Sequence, residues 1–439
     1  DPTDGWKKKT HDLDAIVEFS NNNPTEENFL MFVGDENQLG PPVSGRPYGH
    51  NYSACLSPDY WLRNGYKEEE IHYIRLGESH RQSKESQILN LSRRMVKKSN
   101  LSSPYYDNKS VFKIYGHQII DLFLKEYKKN KHSIKILGYT NQLVYEYNLK
   151  IREKLFGKKS NNKIVKDDVL LVVKNNYFHE EDFLNGEYIQ IVDEPKIEKG
   201  PVISMEVPKL DENGKSSGLT EKVKYSMDFA TVKIRPETNE RLFKPPIIET
   251  KILLDSVDIP LYPTSAERRA QENKMQAWLR EEFFIRNPEM QKKLKKSKNS
   301  DEKFQREQEL QELYEKDPYF NALWVNWGYA VTTHKAQGGE WKNIIADFSF
   351  HRSNQFNWAY TSITRAMSKL YLHDYPLEEL KDEPEYEKFQ EKSLFFGKTF
   401  NKIFKYKNNI EENEKSSNDD LKGKIDLLEK EIENLKKKL

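Results

Sequence analysis

The sequence contains very little cysteine and no long apolar run. One cysteine, Cys55, among 439 residues excludes internal disulfide bonds and cysteine-rich metal clusters. The ten histidines never occur at a metal-ligand spacing such as HExxH, so no metal site is predicted. No segment reaches the ~20 consecutive apolar residues of a membrane helix, and the first residues lack the apolar core of a signal peptide. We therefore expect a cytoplasmic protein without a membrane partner.

The charge of the chain is almost balanced. The 71 basic and 70 acidic residues leave a formal net charge of +1. Because bulk charge would provide no steering, any polyanionic partner must be bound by a local groove.

Three apolar runs, each followed by polar turn residues or a helical pattern, predict buried strands of an α/β sheet. These are ENFLMFV (27–33), IKILGYT (134–140) and WKNIIADFSF (341–350). The second and third lead into the helical patterns NQLVYEYNLKIREKLFG and NWAYTSITRAM. Functional residues are expected at the carboxyl ends of such strands.

The middle of the chain has a different pattern. Residues 168–193 alternate as strands do, with a turn at Asn185-Gly186, which predicts a hairpin or a small barrel. The β-rich character continues to about residue 262 and predicts a separate module. Charged helical sequence follows from 265 to 316, and the basic break KKLKKSKNS within it is interpreted as a solvated loop rather than a basic tip.

The last residues form a short heptad seam that is too brief to establish a coiled coil. Residues 421–439 carry apolar side chains at spacings of four and three, preceded by the linker-like KSSNDD. This seam could bind a coiled-coil partner, pair within the chain, or fray.

Four polar segments follow the predicted strands and helices. GDENQLGPP presents Asp35 and Gln38, a carboxylate and an amide that could face a phosphate, its metal ion or an attacking water; the alternative is an ordinary β-turn. SHRQS presents Arg81 between a possible strand, YIRL, and a helix; its planar donor fork suits phosphate, and a surface salt bridge is the alternative.

The other two segments lie near the third strand. In AVTTHKAQGGEW, the hydroxyls of Thr332 and Thr333 and the backbone at Gly338 and Gly339 could approach phosphates closely. The next two residues, His334 and Lys335, could add hydrogen-bond donors. In WAYTSITRAM, Arg365 is predicted in the first half or middle of an amphipathic helix, where it must pair with a carboxylate or hold an anion. The aromatic residues around the third segment are interpreted mainly as core: Trp324, Trp327, Tyr329 and Trp341.

In this order, the four segments resemble superfamily 1 helicases, in particular the RecD-like and Dda-like branch that moves 5′ to 3′ on single-stranded DNA. GDENQLGPP resembles motif III of that family, SHRQS motif IV, AVTTHKAQGGEW motif V and AYTSITRA motif VI. GYTNQLVYEYNLKIR resembles the segment with the family pattern TNxxV. The resemblance covers about residues 30–190 and 320–375.

The resemblance implies a role for each matching residue. Residues that would act on the terminal phosphate of ATP are Gln38 as sensor, Arg81 across the cleft, and Arg365 as arginine finger. Residues implied at the nucleotide are Asp35, Gly338, Glu340 and Tyr360. Residues implied at single-stranded DNA are Thr140, Asn141, Thr332 and His334.

The chain also departs from the family pattern. It contains no GxxxxGK[ST] phosphate loop, and only 33 residues precede Gly34. We therefore expect the carboxyl-terminal part of a helicase, with ATP and Mg²⁺ bound mainly by an upstream segment or a companion chain. Without loop amides and the metal-binding carboxylate, the chain alone should neither bind ATP tightly nor hydrolyse it.

The predicted architecture is an α/β fold of RecA-like parallel-sheet domains, the first incomplete, with an inserted β-barrel-like module plus helices. The predicted division is 1–72 (remnant of the first domain), 73–190 (second domain, first part), 191–323 (insert), 324–400 (second domain, second part) and 401–439 (linker and heptad helix). The predicted function is an ATP-dependent helicase or translocase on single-stranded DNA. The competing hypothesis is a catalytically inactive nucleic-acid-binding or scaffold subunit.

Overall fold

The structure is a computed structural model. It describes residues 16–17, 19, 30–39, 56, 58–63, 66–68, 71–74, 81–82, 86–98, 101–102, 104–179, 182–210, 216–237, 246–262, 264–296, 300–349 and 356–376. The predicted linker and heptad seam at 401–439 lie outside these residues, as does most of the predicted first domain.

Helices and strands alternate in the first part of the described chain. The helices are α1 (Pro58–Arg63), α2 (Gln87–Lys98), α3 (Ile119–Lys129), α4 (Asn141–Phe156), α5 (Ser265–Arg286), α6 (Pro288–Lys296), α7 (Ser300–Lys316) and α8 (Phe356–Thr364). The strands are β1 (Val111–Ile114), β2 (Ile134–Gly138), β3 (Val169–Val172), β4 (Tyr188–Ile191), β5 (Lys196–Lys199), β6 (Ile203–Leu210), β7 (Ser216–Tyr225), β8 (Asp228–Pro236), β9 (Ile248–Leu253), β10 (Leu323–Trp327), β11 (Ala330–Thr332), β12 (Trp341–Asp347) and β13 (Ala366–His373).

One sheet has five strands in the order β1-β13-β12-β2-β11, and all its pairs are parallel. Every residue of β2 is buried, as expected for a central parallel strand covered on both faces. The turn after β2 begins α4, because the Thr140 hydroxyl accepts a hydrogen bond from the Leu143 amide (3.1 Å) and caps the helix. The sheet therefore places the ends of β2 and β11 side by side.

The second sheet closes on itself. Its strands follow the order β4-β3-β10-β9-β8, and β4 also pairs with β8, which completes a ring; β5 adds to β8 outside it. The pairs are antiparallel except β9 with β10. Strands β3, β4 and β10 come partly or wholly from outside the 191–323 range, so the ring and the predicted insert overlap without coinciding.

A helical arm and a two-stranded ribbon extend the ring. The ribbon consists of β6 and β7, and α5 packs on it through an apolar cluster that includes Met205, Trp278 and Phe229. The Trp278 indole donates to the carbonyl of Tyr225 (3.0 Å), which fixes the helix against the end of the ribbon.

A buried ion pair connects the parallel sheet to the ring. Arg152 of α4 and Asp168, which precedes β3, have fully buried side chains, and Arg152 Nε lies 3.0 Å from Asp168 Oδ1. The Tyr329 hydroxyl donates to the same carboxylate oxygen (2.9 Å). Burial raises the pKa of Asp168, and the Arg152 guanidinium opposes that rise. The charges are therefore satisfied by each other and by hydrogen bonds rather than by water.

A second buried cation lies at the same boundary. Lys135 of β2 is 2% exposed, and its Nζ donates to the Gly328 carbonyl (2.6 Å). The ammonium also lies 3.8 Å from the ring centroid of Tyr188 in β4. Burial lowers the pKa of Lys135 to about 8, although the charge of Glu237 acts in the opposite direction.

The expected α/β architecture is confirmed: a parallel sheet carries a closed ring of strands plus helices. The strands at 134–140 and 341–350, the helix after β2, and the hairpin with a turn at Asn185-Gly186 are present. The four aromatic residues interpreted as core are all at most 8% exposed: Trp324, Trp327, Tyr329 and Trp341.

Three local predictions are wrong. Residues 30–33 of ENFLMFV and 73–74 of YIRL are not in strands, because neither segment has a neighbouring strand among the described residues to complete its backbone hydrogen bonds. The basic break is not a loop in residues 292–296, which continue α6, since lysine is a good helix former and no glycine or proline interrupts them.

We expect Arg152→Leu to lower the free energy of unfolding by roughly 3–5 kcal/mol, because Asp168 would remain buried without its partner. Urea unfolding followed by tryptophan fluorescence measures this loss. Lys159→Gln is the control, since Lys159 and Glu194 form an ion pair whose side chains are 67% and 63% exposed. A change below ~1 kcal/mol for Arg152→Leu, as for an exposed pair, would contradict the assignment.

We expect the stability of the wild-type chain, measured relative to Lys135→Met, to rise between about pH 8 and pH 10.5. The folded-state pKa lies below the unfolded one, so the unfolded chain binds more protons in this window and stability increases with pH. The expected difference across the window is roughly 3 kcal/mol. Urea unfolding of both proteins at several pH values measures this difference. If the stability of the two proteins changes with pH in the same way, the buried Lys135 charge does not contribute to the pH dependence.

Candidate functional site

The segment 35–39 is held against the turn after β11 and against α8. The Leu39 amide donates to the Thr361 hydroxyl (2.9 Å), and the Gln337 side chain donates to the Leu39 carbonyl (2.7 Å). Asn357 donates to the carbonyls of Glu36 (3.2 Å) and Gln38 (3.0 Å). Polar groups far apart in the sequence therefore meet at one place, which we call the crevice.

The two predicted side chains of this segment contact each other. Asp35 accepts from the Asn37 amide (3.0 Å) and from the Gln38 side chain (3.3 Å), which makes a turn of the Asx kind. The β-turn alternative is therefore correct for the local structure. Asp35 also hydrogen-bonds Tyr360, and burial together with this carboxylate raises the pKa of the tyrosine. Asp35, Gln38 and Tyr360 form one connected group.

Arg81 also lies at this crevice, because its charge acts on Tyr360 and Arg365. Its Nε is 2.6 Å from a carboxylate oxygen of Glu340, and its Nη1 donates to the Thr364 carbonyl (2.9 Å). The side chains of Arg81 and Glu340 are 30% and 40% exposed, so the pair is open to exchange. The neighbouring Gln82 donates to the Ala366 carbonyl (2.7 Å) and anchors the segment at the start of β13.

Arg365 does not lie within a helix as predicted. α8 ends at Thr364 and β13 begins at Ala366, so Arg365 occupies the junction, where the chain must change direction to enter the sheet. Its guanidinium donates to the carbonyls of Thr361 (3.2 Å) and Gly339 (3.2 Å). Burial, with repulsion from Arg81, lowers the pKa of Arg365 to about 10.

The two adjacent glycines have different structural roles. Gly338 has a φ of +81°, which favours glycine, and there is open space where a Cβ would lie. A Cβ on Gly339 would approach the Trp341 ring to 2.4 Å, so packing requires that residue to be small. Gly338 therefore leaves room for a ligand, whereas Gly339 seats the tryptophan and offers its carbonyl to Arg365.

The four residues predicted at the nucleic acid lie at the other end of the parallel sheet, where β2 and β11 end. We call this end the edge with Thr332. Thr332 ends β11 in register with Gly138, the last residue of β2, and the Thr333 amide donates to the Gly138 carbonyl (3.2 Å). Thr140 and Asn141 follow β2, and the exposed His334 follows β11. The Thr140 hydroxyl is engaged in capping α4.

The turn at 333–340 connects the two edges. Thr332 is level with Gly138, whereas Asn343 of β12 is level with Ile134. Gly138 and Ile134 are four residues apart on β2, which is roughly 13 Å at ~3.3 Å per residue. Between Thr332 and Asn343 the chain must therefore run back along the sheet by at least this distance. The turn therefore runs from the edge with Thr332 to the crevice with Glu340.

A small pocket adjoins the edge with Thr332. Both the parallel sheet and the ring contribute to its lining, and the polar lining residues include Asn141, Asn326, Thr332 and Lys335. Lys335 Nζ lies 2.8 Å from the side-chain oxygen of Asn326 in the amide orientation that satisfies both groups. Burial, followed by repulsion from Arg268, lowers the pKa of Lys335 to about 8.

The crevice suits an anionic ligand better than a metal ion. Two guanidinium groups, Arg81 and Arg365, lie close enough to repel each other, and a phosphate would relieve this repulsion. Among the described residues no group of three or more His, Cys, Asp or Glu could hold a metal ion. The residues therefore fit a phosphate group.

Sequence reasoning identified the charged residues of the crevice but not those that hold them. Gln82, Asn357 and Thr361 bind backbone groups of other segments, and no local pattern marks such contacts. Lys174 and Arg268 were also missed, because the fold, and no local pattern, brings them near Glu272.

None of the described helices combines the length and apolar character needed to span a bilayer.

Comparisons with known proteins agree with the place of these motifs. Residues 328–373 match the family model described as UvrD-like helicase C-terminal domain. This match supports a superfamily 1 helicase relationship for the segment that carries Arg365 and the 333–340 turn.

Two solved structures resemble the chain at low identity. The Pif1 helicase from Candida albicans is 12% identical with a TM-score of 0.36, covering 82% of this chain and 67% of that one. The Pif1 helicase from Bacteroides in complex with ADP-AlF3 and ssDNA is 12% identical with a TM-score of 0.33, covering 82% of this chain and 65% of that one. The chain thus spans about two thirds of these relatives. No curated protein matches the sequence.

Proposed function

We propose that this chain is part of an ATP-driven helicase or translocase that moves along single-stranded DNA, of the RecD-like and Dda-like kind. The observation that carries the proposal is the crevice, in which Gln38, Arg81 and Arg365 approach one another from three separate segments. Arg81 and Arg365 are close enough for their charges to interact. Gln38 joins them through Asp35 and Tyr360.

The chemistry expected of the crevice is recognition of a terminal phosphate. Arg81 would exchange Glu340 for phosphate oxygens, since guanidinium binds phosphate in a bidentate manner. Arg365 would stabilise the charge that develops during phosphoryl transfer. ATP supplies the free energy when bound. Asp35, Gly338, Glu340 and Tyr360 would border the nucleotide, and an upstream segment or companion chain would contribute the phosphate loop and the Mg²⁺ ligands.

The 333–340 turn supports coupling between the crevice and the strand-binding edge. Glu340 and Gly339 contact the two arginines, whereas Thr332 and His334 lie at the far end of the same turn. A change in the arginine contacts would therefore reach the edge through a few residues. Repeated closing and opening of the crevice would then alternate the grip on the strand, as an inchworm mechanism requires.

The 439-residue chain is expected to bind single-stranded DNA but to bind Mg-ATP more weakly than micromolar. The reason is that the sequence has no GxxxxGK[ST] loop to hold the β- and γ-phosphates. Calorimetric titration with Mg-ATP, and anisotropy of a labelled oligodeoxythymidine, measure the two affinities. Micromolar Mg-ATP binding would refute the need for a further segment, and absence of strand binding would refute the proposed function.

In an assembly that hydrolyses ATP, Arg365→Ala should reduce turnover by about 10³-fold or more, because an arginine finger contributes that much to phosphoryl transfer. The affinity for single-stranded DNA, measured without nucleotide, should stay within about twofold of wild type. The reason is that Arg365 precedes β13, at the end of the sheet opposite to Thr332. Unchanged turnover would exclude the finger role. Lys342→Ala is the matched control, because Lys342 is exposed on β12 near the crevice.

A further inference from the structure

Three basic side chains from three parts of the fold converge beside the small pocket. Lys174 follows β3 of the ring, Arg268 lies in the first turn of α5, and Lys335 belongs to the turn after β11. All three interact with one carboxylate, Glu272, which lies one helical turn beyond Arg268. We name Lys174, Arg268 and Lys335 the basic trio.

Two members of the basic trio are held by replaceable contacts. Lys174 Nζ is 3.7 Å from the Glu272 carboxylate and 3.3 Å from the ring centroid of Trp324. The side chains of Lys174 and Glu272 are 31% and 37% exposed, so solvent reaches the pair. Lys335 contacts the neutral amide of Asn326 rather than a carboxylate. Neither ammonium group is enclosed by a buried ion pair.

Two carboxylates act on Arg268 of the basic trio, Glu267 and Glu272. Glu267 is the second acidic neighbour of Arg268, and its carboxylate accepts from the Thr264 amide (3.1 Å) and hydroxyl (3.0 Å) as a helix cap. Arg268 also donates to the Tyr262 carbonyl (2.7 Å), and Glu272 is the carboxylate that the three cations share. Burial lowers the pKa of Lys174 and of Arg268, as it does that of Lys335, and the opposing charges do not reverse this effect.

The position of the basic trio indicates what it binds. Lys335 lines the same pocket as Asn141 and Thr332, two of the residues predicted at the nucleic acid. A strand that leaves this edge toward the ring would pass Lys335 first, and Lys174 and Arg268 beyond it. Phosphodiester groups are the anions that such a path would present in series.

We propose that the basic trio binds backbone phosphate of the nucleic-acid strand, with Glu272 as the competing anion that the strand displaces. This inference rests on the proposed function, because it extends the strand path of that site from the parallel sheet to the ring and α5. It assigns a binding role to Lys174 and Arg268, and it makes Glu272 a negative determinant of affinity.

The experiment measures anisotropy of a fluorescein-labelled oligodeoxythymidine with the 439-residue chain at several salt concentrations and without nucleotide. Lys174→Gln, Arg268→Gln and Lys335→Gln should each weaken binding by roughly tenfold. Each should also reduce the slope of log affinity against log salt by ~0.7, the value for one contact to a single strand. The control is Lys222→Gln on the β6-β7 ribbon, where Lys222 is 79% exposed and pairs with Glu206 at 3.8 Å.

Glu272→Gln gives the sharper test because its effect has the opposite sign. Removing the carboxylate should strengthen binding by roughly threefold, since it repels phosphate and attracts Lys174. A residue that only supports the fold would not improve affinity when changed. Lys335→Arg, which keeps the charge, should bind within about twofold of wild type.

Each other outcome has a defined meaning. If the wild type binds the strand and all trio variants behave as Lys222→Gln does, the inference is overturned while the proposed function stands. If the wild type binds no strand, the proposed function fails and the inference with it. If inorganic phosphate at constant ionic strength displaces the label as readily as unlabelled strand does, the basic trio binds free phosphate and the inference is overturned.

Discussion

The pairing of Arg152 with Asp168 inside the protein is the interaction on which the arrangement of the two sheets depends. Both charges lie at the point where α4 of the parallel sheet meets β3 of the ring, and Tyr329 joins them from the segment between β10 and β11. Neither charge could remain in this apolar surrounding alone, because desolvation would cost more than packing recovers. The ion pair therefore specifies one relative position of sheet and ring.

That fixed position also determines where the two proposed binding regions lie. The parallel sheet has arginines at one edge and the ends of β2 and β11 at the other, and the ring lies beside the second edge. The pocket between them exists only because sheet and ring share a hydrophobic core. The path proposed for the strand and the crevice proposed for the phosphate thus depend on the same packing.

Sequence patterns predicted the elements whose physical cause is local. The apolar run of β2, the helix that follows it and the turn at Asn185-Gly186 carry their signals in neighbouring residues, and all three are present. Arg365 was misplaced because the end of α8 is set by the tertiary demand that β13 enter the sheet. A small barrel was expected, but the pairing of β4 with β8 that closes it, like the Arg81–Glu340 contact, joins residues distant in sequence, and no local pattern identifies these partners.

The short link between β10 and β11 has a mechanical consequence. Only Gly328 and Tyr329 separate the last residue of a ring strand from the first residue of a sheet strand. The Gly328 amide binds the Val169 carbonyl, and Asn148 holds the Tyr329 amide, so neither residue is available as a hinge. A rotation of the ring would therefore also move β11, and the ring and the parallel sheet would rotate together as one rigid body.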